Sequence, residues 1–478
     1  MIKVLHVSAE CSPYVKIGGL ADVVGSLPNE VKRLRGSDVR VILPFYKSIP
    51  KKYRDQVEDV ASFKFDFEFD EQYVGVKSLK KGNILYYFID NEFYFGSRDN
   101  VYNYGDESKR FAYFQLAVLA SLKHIDFIPD VIHVHDWHTA MIPLLLKNKY
   151  RNYKIKTVLS LHNLAYQGVF PLQDYRLFNM EYDSKFEFDG HLNFLKSGIV
   201  CADIITTVSP NYAQEILTDY YGYGMQNLLK QRGSDVIGIL NGVDYKEFSP
   251  EKDSLISYNF GIDDFKVGKR KNKEALFKTL KVDFDLERPV ISLISRLVNQ
   301  KGIDLIQRVF QEMLLNDDFT FILLGSGEDF YEEYFRNLEK AFPDKVKVHL
   351  GYSNKLAHMI YAGSDMFLMP SKFEPCGLGQ IISLKYGTIP IVRETGGLVD
   401  TIEAFNEYEK KGNGFSFTNF NAHDMMHSIR YALHIYEMDK LVWDRIIINA
   451  MNSDFSWEKS AKAYKEVYKD VLRRNFNG

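Results

Sequence analysis

Twice along this chain, short runs rich in β-branched and apolar residues alternate with helical stretches, and that alternation leaves few folds open. In the first half the strand-like runs are Ile2 to Ser8, Asp38 to Leu43, Val131 to Val134, Lys156 to Leu161 and Asp203 to Val208. The series begins afresh at Arg288, with Val290 to Ile294, Thr320 to Leu324, Lys345 to Leu350, Met366 to Met369 and Ile389 to Val392. Helical stretches such as Ile303 to Leu315 and Phe330 to Ala341 lie between them. Strands joined by helices build a mostly parallel sheet covered on both faces. The expectation is an α/β protein of two doubly wound domains, residues 1–240 and 241–455, followed by an amphipathic helix, 456–478, that packs back on the first domain. The boundary falls where the strand Asp235 to Leu240 runs into the turn Asn241-Gly-Val-Asp244, and a polar segment to Lys273 then reads as the connection. With 478 residues and 46% hydrophobic content, each domain has enough apolar material for its own core.

Two segments break the pattern. Ser62 to Asp70 alternates apolar and charged residues with period two, and with Tyr73 to Leu79 and Asn83 to Ile89 it predicts an antiparallel meander inserted into the parallel scheme. Gln167 to Phe188 is aromatic and irregular and reads as a loop over a cleft. Composition removes several functions. Sixty basic residues against 63 acidic give a formal charge of −3, so no global field recruits nucleic acid or a membrane surface. No apolar run approaches the roughly 18 residues of a spanning helix, and no secretory leader pattern follows Met1. Three cysteines without paired spacing fit a reducing compartment with no disulfide, so a soluble, cytoplasmic protein is expected.

The chemistry gathers at strand ends, where open α/β sheets bind ligands. After the strand Asp365 to Pro370, the loop Ser371-Lys-Phe-Glu-Pro-Cys-Gly-Leu-Gly-Gln380 carries one acid, Glu374, one thiol, Cys376, and sparse side chains at Gly377 and Gly379. A carboxylate accepts hydrogen bonds from sugar hydroxyls, while bare amides at a helix start face a phosphate. The pattern Gly-Gly-Leu-x-Asp occurs in Lys16-Ile-Gly-Gly-Leu-Ala-Asp22 and again in Glu394-Thr-Gly-Gly-Leu-Val-Asp400. One such cradle in each half would hold a charged ligand between the domains. Arg296 and Lys301, in Ser295-Arg-Leu-Val-Asn-Gln-Lys-Gly302, supply cations for phosphate oxygens. The run His133-Val-His-Asp-Trp-His138 also has the composition of a metal site, but Asp136 and His138 lie beyond the strand face shared by His133 and His135. The other reading is a polar wall with Asp136 on sugar hydroxyls. Asp283-Phe-Asp285 matches the short motif of metal-dependent sugar transferases, yet it precedes a strand and reads as a solvated linker.

Taken in order, Lys16 to Asp22, His133 to His138, Leu161-His-Asn-Leu-Ala-Tyr-Gln-Gly168, Asn241 to Asp244, Ser295 to Gly302 and Phe373-Glu-Pro-Cys-Gly-Leu378 resemble the bacterial glycogen synthases and plant starch synthases. These are retaining glucosyltransferases of the GT-B fold, with two Rossmann-like domains facing across a cleft. The resemblance implies transfer of glucose from ADP-glucose to the nonreducing end of an α-1,4-glucan in glycogen biosynthesis, with no metal ion or other cofactor. It gives catalytic roles to Lys16, His162, Arg296, Lys301 and Glu374. It assigns substrate binding to Gly18, Gly19, Asp22, Asp136, Asn241, Tyr352, Cys376, Gly377 and Leu378, with Tyr352 stacking on the adenine. Because no carboxylate nucleophile is implied, retention is expected through attack on the face the leaving group departs from. The alternatives are a UDP-glucose-dependent transferase and a noncatalytic glucan-binding protein. One departure stands out: Gly379 occupies a position where many bacterial members carry Thr, so a hydroxyl that would reach phosphate is absent.

Overall fold

The computed structural model describes residues 1–68 and 70–474. The chain divides into two compact units, Met1–Gly242 joined by the C-terminal helix from Trp457, and Val243–Ser456.

In the first unit the strands are β1 (Ile2–Val7), β2 (Ser37–Pro44), β3 (Glu58–Phe67), β4 (Asp70–Lys81), β5 (Ile84–Asp90), β6 (Val131–His135), β7 (Lys156–Leu161), β8 (Val169–Pro171), β9 (Glu187–Phe188), β10 (His191–Asn193), β11 (Ile204–Thr207) and β12 (Val236–Gly238). Nine of them form one sheet in the order β12-β11-β7-β6-β1-β2-β5-β4-β3. From β12 to β5 every pair is parallel, and the strands β6 and β7 are buried along their whole length, as expected when helices cover both faces. The predicted meander is present at one edge, where β4 and β3 run antiparallel. Its period-two pattern turns Lys64 and Asp66 to solvent and Phe63, Phe65 and Phe67 inward. Charged residues on the outermost strand blunt further pairing.

The segment Gln167 to Phe188 is more ordered than its sequence suggests. It contributes β8 and β9 to a three-stranded antiparallel sheet, β8-β10-β9, with a helical turn at Leu172–Phe178. Strands of two or three residues are too short to display a period. The aromatics supply a local core instead: Phe178 and Phe186 are buried, with Tyr175 stacked on Phe186 and Phe178 edge-on to Phe194.

The last helix, Trp457–Arg473, buries Trp457, Ala461, Tyr464, Val467, Tyr468 and Val471, a stripe at helical spacing. That stripe packs on the helix Gly19–Arg33, and the helix belongs to the first unit although the second lies between them in sequence.

The second unit holds β13 (Val290–Leu297), β14 (Thr320–Gly327), β15 (Val346–Leu350), β16 (Met366–Met369), β17 (Ile389–Arg393) and β18 (Phe415–Phe417), all parallel, in the order β15-β14-β13-β16-β17-β18. The polar segment expected as a connection is instead, over Phe265–Leu280, a helix packed into this unit. Its buried face carries Lys269, Asn272 and Lys273 among Leu276, Phe277 and Leu280, which hides the apolar period. Lys269 donates to the Ala362 and Tyr386 carbonyls and to Thr388, and Lys273 pairs with Asp365 at 2.9 Å. Burial pushes the Lys269 ammonium down to about 7. Among the described residues no helix is long and apolar enough to cross a membrane.

Each sheet has one place where the chain proceeds outward in both directions. In the first unit it lies between β1 and β6, in the second between β13 and β16. At such points the loops diverge and leave a crevice at the carboxyl ends of the strands.

Candidate active-site residues of the two units

In the second unit that crevice is a pocket of about 230 Å³ lined by Ser295 and Arg296 after β13, by Ser371 and Glu374 after β16, and by Lys301, Gly377, Leu378 and Gly379. Five predicted site residues, Arg296, Lys301, Glu374, Gly377 and Leu378, therefore meet in one cavity. The two loops are laced together by backbone: Lys372 N–H donates to the Gln300 carbonyl at 2.9 Å, and the Gln300 amide donates to the Phe373 carbonyl at 3.2 Å. Lys301 Nζ lies 2.5 Å from Glu374 Oε2, which also accepts from Ser371 Oγ at 3.1 Å. The lysine expected to wait for phosphate is thus already neutralised by the glutamate. Arg296 differs; its side chain is exposed and engages no hydrogen-bond or ion-pair partner among the described residues.

Two predicted residues sit outside this lining. Tyr352 is 79% exposed, with its hydroxyl 3.3 Å from Asn354, so its ring face is open for stacking. Cys376 is buried, and its carbonyl accepts from Gln380 at 2.9 Å. Gly379 has a packing reason for being glycine. A Cβ there would stand 2.8 Å from the Phe367 ring, which fills the space a larger residue would need. Gly379→Thr should lower stability by about 1–3 kcal/mol through overpacking. Phe367→Leu in the same chain should recover part of it, as read by denaturant melts.

The two Gly-Gly-Leu-x-Asp motifs prove unlike. Neither Gly18 nor Gly19 has any atom within 4 Å of where a Cβ would be, so the fold itself does not require glycine there. At the second motif a Cβ on Gly396 would lie 2.0 Å from the Glu374 carbonyl oxygen, and one on Gly397 would lie 2.2 Å from that of Cys376. Gly397 N–H donates to the Glu374 carbonyl at 3.1 Å. The second motif is consequently no anion cradle; it is the seat on which the Glu374 loop rests. The two read alike in sequence because the Ser371 to Gln380 loop that fills the second leaves no mark within the motif itself.

In the first unit, Lys16 and Asp22 pair at 2.7 Å beside Gly18 and Gly19. A residue not singled out from sequence, Glu10, holds this loop: its Oε2 accepts from the backbone of Ile17 at 2.8 Å and Gly18 at 3.0 Å, and its Oε1 from Tyr102 at 2.7 Å. Those amides therefore do receive an anion, an internal carboxylate. Glu10 follows the end of β1 just as Asp136 follows β6, and the strand-end rule that picked Asp136 would have found it. Asp136 sits at φ +54°, an uncommon conformation for a non-glycine residue, and its Oδ1 accepts from His162 N–H at 2.7 Å. Burial, assisted by the charge on Glu10, pushes the Asp136 carboxyl up to about 7. A carboxyl raised on folding stabilises most below its unfolded value and loses that contribution as pH rises through about 7. Asp136→Asn should thus gain stability relative to the parent between pH 4 and pH 7, by a few kcal/mol at most; parallel melts across that range measure it.

Asn241 is buried with its Oδ1 unpaired among the described residues, an acceptor left for a ligand hydroxyl. His133, His135, Asp136 and His138 do not converge as a ligand set: His138 stacks on Trp137, and Asp136 turns to the His162 backbone. Among the described residues the ring nitrogens that do cluster belong to His6, His133 and His135. Asp283 and Asp285 are exposed, in the loop before β13. All three cysteines are free thiols.

Family comparisons bear on this arrangement. Residues 3–231 match the model for the starch synthase catalytic domain, and residues 277–442 the model for glycosyl transferases group 1. The protein is a glycosyltransferase of the GT-B fold. A glycogen synthase of Anoxybacillus flavithermus is 47% identical, with 98% of each chain covered, and one of Bacillus cereus (strain Q1) is 47% identical over 98% of this chain and 100% of its own. The catalytic domain of starch synthase IV from Arabidopsis thaliana, solved bound to ADP and acarbose, superposes with a TM-score of 0.91 at 32% identity, covering 99% of this chain and 100% of that one. Sucrose-phosphate synthase from Thermosynechococcus elongatus, at 14% identity and a TM-score of 0.63, shares the fold alone. The chain belongs to the glycogen synthase family.

Proposed function

We propose that this enzyme transfers glucose from ADP-glucose to the nonreducing end of an α-1,4-glucan with retention of configuration and without a metal ion, in the cytoplasm. The observation that carries the reading is the switch-point pocket of the second unit, where an unpaired guanidinium, a lysine–glutamate pair and a glycine-rich turn line one cavity. Arg296 and Lys301 take the charge that grows on the diphosphate as the glycosidic bond breaks, so Lys301 exchanges Glu374 for phosphate when donor arrives. Glu374 is then released to accept from sugar hydroxyls. Gly377 and Leu378 present backbone to the glucose and phosphate, and Tyr352 stacks on the base. Support for an adenine nucleotide comes from the ADP in the plant relative. Cys376, buried in the same loop but outside the pocket lining, shapes that turn.

From the first unit, Lys16, Gly18, Gly19 and Asp22 act on the donor, the open space over both glycines giving a phosphate close approach. Asp136 and Asn241 bind sugar hydroxyls. His162 supports the cation-like sugar while the donor's phosphate oxygen accepts the acceptor's proton. Desolvation lowers the His162 pKa and keeps the ring neutral, which suits it to stand beside developing positive charge. The test is incorporation of radiolabelled ADP-glucose into glycogen, with and without chelator, beside UDP-glucose. Chelator-insensitive incorporation from ADP-glucose is expected. Dependence on divalent metal or preference for UDP-glucose overturns the donor and mechanism; absence of turnover with either overturns the reading.

A further inference from the structure

Behind His162 lies a chain of buried rings that none of the assigned roles uses. His135 Nδ1 is 3.0 Å from His162 Nε2, and His135 Nε2 is 3.0 Å from His6 Nδ1. His6 Nε2 is 3.3 Å from the hydroxyl of Tyr468 on the last helix, and that hydroxyl is 2.8 Å from His133 Nδ1. A branch continues from His133 Nε2 to Ser160 Oγ at 2.7 Å and on to Thr206 Oγ1 at 2.6 Å. His6, His133, His135 and Tyr468 have no solvent exposure. We infer that Tyr468 and His6, acting through His135, fix the tautomer of His162 and are positioning residues for glucosyl transfer.

The polarity of this chain is set by how many protons its rings carry. A neutral imidazole has one N–H and one lone pair, so a ring that donates at one nitrogen accepts at the other. Burial holds these rings neutral. Along His6, His135 and His162 the direction of every bond then follows from any one of them. Tyr468 has a single hydroxyl proton for two histidines, so it donates to at most one of them and accepts from the other. The inferred polarity gives the hydroxyl proton to the shorter contact, 2.8 Å to His133, and leaves the 3.3 Å contact to be made by a His6 N–H. Tyr468 therefore donates to His133 Nδ1 and accepts from His6 Nε2–H. His6 Nδ1 in turn accepts from His135 Nε2–H, and His135 Nδ1 accepts from His162 Nε2–H. What remains at the end is His162 Nδ1 with its lone pair, the character that a cation-like sugar calls for. The opposite polarity would leave an N–H there, with its positive end outward.

The same geometry argues against a metal among His6, His133 and His135. All six of their ring nitrogens already have hydrogen-bond partners, and an ion would have to displace them.

The inference rests on the role proposed for His162. Tyr468→Phe keeps the ring packing and removes the proton that sets polarity. Its kcat should fall roughly tenfold or more, as it does when a catalytic histidine is held in the wrong tautomer, while KM for ADP-glucose and for glycogen stays within about twofold. Nitrogen-15 NMR of histidine-labelled parent protein should report His162 protonated at Nε2 and bare at Nδ1, and the variant a mixture. Parent spectra showing a protonated Nδ1, or a variant with parental kcat, overturn the inference. The parent spectrum decides the tautomer even if the variant fails to fold. If the parent shows no ADP-glucose turnover while the spectrum is as expected, the functional reading has failed and the ring chain stands.

Discussion

Replacing Lys301 by alanine is expected to cut turnover about a hundredfold or more, the usual loss when a preorganised charge facing a leaving group is removed. The geometry explains why the effect should be large. Lys301 and Glu374 form a close pair with side chains 17% and 10% exposed, so solvent does little to replace the missing ammonium. Among the described residues Glu374 would keep only Ser371 as a side-chain partner, and its uncompensated charge would face the diphosphate proposed to enter this pocket. Lys301→Arg should fall between alanine and the parent, because a guanidinium restores charge without the compact reach of an ammonium. Steady-state rates with ADP-glucose, taken beside melting curves, separate lost chemistry from lost fold. Near-parental kcat in Lys301→Ala would remove this residue from the phosphate site.

The second large effect is a contrast between two glycines that look alike in sequence. Gly396→Ala should destabilise the second unit by about 2–5 kcal/mol, combining overpacking with a left-handed backbone. Gly396 sits at φ +47°, and the new methyl would fall 2.0 Å from the Glu374 carbonyl oxygen. Activity should fall with stability, since the loop that moves carries Glu374. Gly18→Ala should leave the melting curve within about 0.5 kcal/mol, as a substitution in open space usually does, and instead raise KM for ADP-glucose. Unchanged kinetics in Gly18→Ala would take the first loop out of donor binding. An unshifted melt in Gly396→Ala would contradict the packing described for the second.

Strand ends were legible because parallel strands buried on both faces must be apolar throughout, and the polar residues that follow them stand out. Arg296, Glu374 and Asp136 stand out by that signal. The order of the strands was not legible: β1 neighbours β6, and β13 neighbours β16, through pairings that no local pattern records. The helix Phe265–Leu280 was hidden by lysines whose charge is satisfied by distant carbonyls and Asp365. Tyr468 and His6 escaped for a similar reason; their contact spans 462 residues, and each alone reads as an ordinary core residue. Glu10 was within reach, standing after β1 ahead of the glycine loop. The family resemblance supplied the donor and the glucan, which residue spacing alone did not.

The membership of the final helix in the first unit has a consequence for synthesis. A ribosome delivers residues 1–242 early, but Tyr468 leaves the exit tunnel only after all of the second unit has been made. Until then the apolar flank of the helix Gly19–Arg33 lacks its cover, and His6 and His133 lack a hydroxyl between them. Domains that are contiguous fold as they emerge; this one is discontinuous and cannot close until the helix from Trp457 has been made. A chain that stops short of Trp457 would thus hold the pocket of its second unit without a finished first unit.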